Sequence, residues 1–228
     1  MPASPPRPPA APRGAAPPRR HRPEPGPGDP SLPRDQAGPP MNPPAFQRAV
    51  DTLREILDGP ALRPELDLED MPAPQSLAPY AAAMSGSVYR DDDTEVAMGR
   101  LIVLYDPEGR SGWTNGFRVV AYIRADLEPD IAADELIGSV AWDWLLEALE
   151  PAGYAGVSGT ITRAVSESFG DKSDEPSTTE LELRASWSPT GDDLAGHVLA
   201  WCEVMCTTAG LPPTGVTALP DRPGGGGG

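Results

Sequence analysis

The apolar positions of this chain recur at two periods. From Phe46 to Leu57 they keep the three-and-four spacing of an amphipathic helix (Phe46, Ala49, Val50, Leu53, Ile56, Leu57), stopped by Gly59-Pro60. Residues 63–78 are rich in proline and read as an extended connector, and residues 80–89, dominated by small side chains, read as a strand. RLIVLY at 100–105 is a short unbroken apolar run, as expected of a central strand. A turn-rich loop ending in Asn115-Gly116 leads to residues 117–127, where Phe117, Val119, Ala121, Ile123 and Ala125 alternate with Arg118, Val120, Tyr122 and Arg124.

Beyond the middle of the chain, residues 157–165 set Val157, Ile161 and Val165 on one strand face and Ser158, Thr160 and Thr162 on the other. The polar stretch GDKSDEPST is a loop before residues 179–187, where Leu181, Leu183, Ala185 and Trp187 alternate with Glu180, Glu182, Arg184 and Ser186. A last helix buries Leu194, Val198, Trp201, Cys202 and Met205 and stops at Gly210. Thr190 and Asp193 before it resemble a capping box.

The stretch that organises the rest is IAADELIGSVAWDWLLEAL, residues 131–149, read as one helix starting at Pro129-Asp130. On a wheel of about 100° per residue, Ile137, Val140, Ala141, Trp144, Leu145 and Ala148 form one apolar stripe. Trp142, Leu146 and Leu149 lie on the adjoining flank, and only Ser139, Asp143, Glu147 and Glu150 share a polar strip. One sheet needs an apolar arc of just over about 100°. The wider arc calls for a second cover, either other helices of the domain or the same helix of a second subunit. The second alternative makes Trp142, Leu146 and Leu149 the expected homodimer seam.

The predicted order is α-β-β-β-α-β-β-α. Hairpins in place of crossovers imply an α+β fold, an antiparallel sheet with helices on one face. GSVAWDW and GHVLAWC occupy similar places in the last two helices but do not establish an internal repeat.

Composition divides the chain into three. Residues 1–41 form a tail whose first 40 positions hold 15 of the 31 prolines and six arginines against three acids. Such a segment is expected to be disordered with a polyproline II bias. Residues 42–219 form one domain, and residues 220–228, closing on five glycines, a flexible end. Without the first 40 residues the chain holds 12 basic against 31 acidic residues, a body expected to repel nucleic acid and anionic membrane. No apolar run is long enough for a signal peptide or a membrane span. Two cysteines one helical turn apart suit a reducing, cytoplasmic compartment.

No motif assigns chemistry. GVSGT around Ser158 misses the nucleophile-elbow spacing and sits in a strand. His197 lies about 140° around its helix from Cys202, so His197, Cys202 and Cys206 do not converge on a metal. Asp91-Asp92-Asp93 lacks the alternation and the glycine of a calcium loop and reads as a turn. Lys172 is the only lysine, out of range of any glycine-rich phosphate loop. No catalytic residue, metal or cofactor is therefore expected. What remains is the outward sheet face: Arg118, Tyr122, Arg124, Glu180, Glu182 and Arg184, with Thr160 and Thr162 nearby, a composition suited to protein binding.

Two resemblances add to this. FQRAV, PAPQSLAPYAAA, GRLIVLYDPEG, FRVVAYIRADLEP, TRAVSESFG, LELRASWSPT and AGLPPTGVTALP resemble an actinobacterial family of unknown function, the one numbered three thousand among such domains. The resemblance implies a bacterial cytosol and no catalytic residues. The element order is similar to the type III secretion chaperone and YbjN-like topology, whose members dimerise largely through the middle helix and bind extended partner segments. The expected function is a non-enzymatic, homodimeric module that binds a protein or an extended segment of one. A small-molecule hydrolase or transferase with an unrecognised site is the alternative, as is an RNA accessory protein acting through the basic tail.

Overall fold

The computed structural model describes residues 42–60, 62–90, 94–109, 111–191 and 193–212; both tails and the Asp91–Asp93 turn lie outside them. Four helices and six strands follow in the order α1 (Pro44–Leu57), β1 (Leu66–Met71), β2 (Tyr80–Arg90), β3 (Thr94–Tyr105), β4 (Phe117–Leu127), α2 (Pro129–Ala132), α3 (Ile137–Leu149), β5 (Tyr154–Ser166), β6 (Thr178–Pro189) and α4 (Ala195–Thr208). The strands form one antiparallel sheet ordered β1-β2-β3-β4-β6-β5. The α+β class holds. Four strands precede the middle helix rather than three, so the chaperone-like order is not reproduced.

The extra strand is β1, in the segment expected to be a plain connector. Its LDLEDM sequence alternates, with Leu66 opposite Val88 and Leu68 opposite Gly86. Acids and flanking prolines disfavour a central strand, but both suit an edge, which is where β1 lies. The expected long middle helix is also interrupted. Pro129 starts a single turn, and the chain then unwinds until the Asp134 carboxylate accepts the Leu136 amide at 2.8 Å and α3 begins. The capping box before α4 does not form. The Asp193 carboxylate, one residue before the N-cap, accepts the Ala195 amide at 2.8 Å, while the Thr190 amide bonds to the Gly153 carbonyl.

The core lies between one face of the sheet and the helices. Val119, Ala121, Ile123 and Ala125 of β4 and Leu181, Leu183, Ala185 and Trp187 of β6 point into it, as their alternation predicts. Phe46 of α1 packs against Tyr80 and Tyr105, and Tyr105 meets Phe117 with ring centroids 4.4 Å apart. Ile137, Ala141, Leu145 and Leu149 of α3 are buried, and α3 and α4 pack side by side.

Helix α4 approaches the sheet where the sheet has no side chains. Gly86 of β2 stands opposite Gly99 of β3. A Cβ on Gly99 would lie 2.7 Å from Trp201 Cζ2 and 2.8 Å from Met205 Sδ. A Cβ on Gly86 would meet Leu68 Cδ2 and Met205 Cε, each at 2.9 Å, and Trp201 Cη2 at 3.1 Å. The Trp201 indole thus rests on bare backbone, and its N–H reaches the Tyr122 carbonyl at 3.4 Å. Gly99→Ala drives a methyl into the edge of a fully buried ring, with an expected cost of about 1–3 kcal/mol. Gly86→Ala meets mainly the movable ends of Leu68 and Met205 and should cost clearly less. Urea unfolding midpoints of the two variants check this order.

Candidate functional site

With the helices on one side, the six predicted face residues share the other. Tyr122 stands opposite Arg184, Arg124 opposite Glu182, and Asp126 opposite Glu180, all on the outward side of β4 and β6. On the next strand Thr160 and Thr162 of β5 stand opposite Arg184 and Glu182. The alternation along β4 and β6 therefore brings the predicted residues together.

Their charges are turned on one another. Arg124 pairs with Glu180 through its Nε and Nη2, and this carboxylate holds the Arg124 guanidinium above its ordinary pKa. Arg184 pairs with Glu182 at 2.7 Å and lies over the Tyr122 ring, 5.6 Å from its centroid. The Tyr122 hydroxyl donates to Glu182 at 3.2 Å. Burial raises the Tyr122 pKa, and the Glu182 charge adds to the rise.

Arg118 does something else. Its guanidinium donates to the Gly156 carbonyl at 2.9 Å and to the Ser186 carbonyl and Oγ at 3.1 and 2.6 Å, with a longer contact to Ser158 Oγ at 3.4 Å. Burial lowers its pKa without discharging it. It clamps β4, β6 and the bulged start of β5 together, so it belongs to the scaffold of the face rather than to its free surface.

The sequence reading missed β3's part in this face. Arg100 stands opposite Tyr122 and Ile102 opposite Val120, and with Met98, Tyr122 and Arg184 these residues line an open trough of about 390 Å³. Arg100 is exposed and has no ion pair among the described residues. RLIVLY reads as a run buried on both faces. The alternation of Met98, Arg100 and Ile102 becomes visible only when the strand is extended through Gly99. The face thus has a half-buried apolar floor and an exposed cation, Arg100, without an ion pair among the described residues.

A second concavity, about 510 Å³, lies between the outer side of α4, the end of α3 and residues 62–66. Leu62, Leu66, Leu199 and Ala200 line it, with Cys202 and Cys206. Its one cation, Arg63, already donates to the Pro212 carbonyl at 2.8 Å and pairs with Glu65 at 3.5 Å. The groove is mostly apolar, with the acids Asp193 and Glu203 also on its lining. It was illegible because its walls come from three distant segments.

The expected dimer seam is split. Leu149 is fully buried in the chain's own core and has no surface for a second subunit. Trp142 is half-buried and lies against Gly159 of β5, where an added Cβ would come 2.7 Å from its Cζ3. Leu146 is half-buried.

The thiols and the histidine of α4 are core groups. Cys202 and Cys206 are 4% and 1% exposed. Burial drives the Cys202 pKa far upward and the Cys206 pKa to about 11. Neither is a ready thiolate at neutral pH. Alkylation of both by a neutral maleimide should run at least about a hundredfold slower in native than in unfolded protein. Mass spectrometry over time checks it.

His197, 1% exposed, accepts the Trp187 indole N–H at Nδ1 (3.2 Å), so its proton sits on Nε2, which is buried without a partner among the described residues. Burial lowers its pKa below the ordinary 6.5, against a smaller opposing pull from Asp193. Below pH 6.5 the unfolded chain takes up a proton that the folded chain resists. The stability His197 contributes is therefore complete above pH 6.5 and is lost as the pH falls toward its lower folded-state value. His197→Asn keeps an acceptor for Trp187 and removes the titration. Its unfolding free energy should fall less between pH 7 and pH 5 than that of the parent, as paired denaturant titrations would show.

No curated protein and no solved structure matches the chain. A family model matches residues 42–217, which span every described element and include β3, β4 and β6, the strands that carry the open face. The chain belongs to the family described as protein of unknown function (DUF3000).

Proposed function

We propose that this domain is a non-enzymatic protein-binding module that engages a partner protein, or an extended segment of one, on the open face of the sheet. The observation that carries the reading is the trough over β3 and β4. There Met98, Ile102 and Val120 form an apolar floor between Arg100 and the Arg184–Tyr122 stack. Arginine and aromatic groups around an apolar centre are the composition of interface cores, where most of the binding energy comes from a few residues. The paired charges of Arg124, Glu180, Glu182 and Arg184 serve as a rim that orients the partner. Arg100 is the free cation that an acidic or carbonyl-rich segment would meet.

The test is affinity capture from the source organism, followed by titration of each purified partner against three proteins. Arg100→Glu with Val120→Asp alters the trough at an exposed and a half-buried position. It should weaken binding by at least about 2 kcal/mol, with the unfolding midpoint nearly unchanged. Leu199→Asp alters the other groove and should bind like the parent. Loss of binding in Leu199→Asp alone would assign the partner to the α4 groove and overturn the proposal.

A further inference from the structure

The two edges of the sheet are unlike. The β1 edge is six residues long and carries Asp67, Glu69 and Asp70. Acids on a short edge strand discourage another chain from pairing with it. The β5 edge is thirteen residues, YAGVSGTITRAVS, with Arg163 its only charge. From Ser158 to Ser166 it pairs regularly with β6 on one side, and among the described residues no strand pairs with it on the other. Every second residue there has its N–H and C=O directed outward. The apolar side chain on the core face near its end, Val165, is 52% exposed. The α3 flank above this edge is apolar as well, since Trp142 beds on Gly159 and Leu146 lies one turn further along.

We infer that β5 pairs with β5 of a second copy of this chain, antiparallel across a two-fold axis at Ile161, joining two sheets into one of twelve strands. Three observations select a second copy as the occupant. A chain with net charge −16 meets itself with less repulsion at an edge free of acids than at one carrying three, and of the two edges β5 is the acid-free one. A strand pairing with itself satisfies two-fold symmetry without any change of shape.

The third observation is what the register brings together. With Ile161 opposite itself, Val165 meets Val157 of the second copy, which gives the exposed valine a partner. Arg163 falls opposite Gly159 of the second copy, so the two arginines do not face each other. Thr160 meets Thr162 of the second copy on the outer face. The axis is perpendicular to the sheet, so both α3 helices lie on the same side with their Trp142 and Leu146 flanks facing. The seam expected from the helical wheel keeps two of its three residues and gains a strand.

Sedimentation equilibrium of the full chain at tens of micromolar should give twice the chain mass of 24.0 kDa. Thr160 and Thr162 are exposed, so substitutions there leave the core untouched. Thr160→Glu with Thr162→Glu sets carboxylates opposite carboxylates and should weaken the dimer about tenfold or more. Thr160→Glu with Thr162→Lys sets Glu opposite Lys twice across the axis and should restore the parent affinity to within about threefold. Circular dichroism should be unchanged in both. A monomeric parent overturns the proposal. So does a double-glutamate variant that dimerises as the parent does, or a Glu/Lys variant as weak as the double glutamate. The partner titrations on the trough are read separately, so either idea can fail alone.

Discussion

The fold depends on a helix brought down onto bare backbone. An ordinary helix packs on a sheet with two layers of side chains between them. Over Gly86 and Gly99 one layer is missing, and the space is filled by Trp201 and Met205, both fully buried. Close packing makes this arrangement selective, because a flat indole matches a flat patch of two paired glycines and little else does. Trp142 on Gly159 repeats the device for α3 on the same face, at the β5 edge of the sheet. There an added Cβ would run into the Arg184 carbonyl oxygen and the Ala185 Cα, both backbone atoms that cannot step aside. Each helix is thereby held in depth and along its axis by one large ring.

What happens on the core side decides what is presented on the other. Strand residues alternate, so fixing Leu101, Val119, Ala121, Leu183 and Ala185 inward fixes Arg100, Val120, Tyr122 and Arg184 outward. A slip of one residue would reverse the two faces and put four arginines in the core. The open face is thus a consequence of the core, and its residues need no local order of their own to stay aligned. The mutual pairing of Arg124 with Glu180 and of Arg184 with Glu182 adds direction more than stability, because exposed ion pairs contribute little.

The strands with clean alternation were legible, β4 and β6 above all, and with them the composition of the outward face. What was not legible among the strands shares one physical cause, which is that glycine and acid weaken a strand signal wherever tertiary contacts supply the stability. The predicted strand began only at Arg100, one residue after Gly99, yet Gly99 lies within β3 and leaves the place of its side chain to Trp201. Small residues made β2 faint for the same kind of reason. The acids of β1 argue against a strand only if the strand is central. The helix wheel found the buried stripe of α3 but put Leu149 on the outer flank, although it is fully buried in the core. The break before α3, where the Asp134 carboxylate accepts the Leu136 amide, was overlooked because the apolar period continues unbroken through it.

Arg118 connects the two surfaces that the chain leaves open. Register shifts between Ala155 and Ser158, so the start of β5 is bulged and would on its own be free to slide against β6. The guanidinium of Arg118 reaches across β6 and holds both sides of that bulge, Gly156 by its carbonyl and Ser158 by its hydroxyl. Gly156 adopts a φ of +58°, a conformation other residues take at a cost, which fixes where the bulge falls. The edge from Ser158 onward is therefore delivered in one register, and a strand must have a single register to pair with a copy of itself. A long edge left to slide would invite aggregation. Clamped at one end by a half-buried arginine of the outward face and with its pleat set by Ile161 against the core, β5 offers one pattern of donors and acceptors.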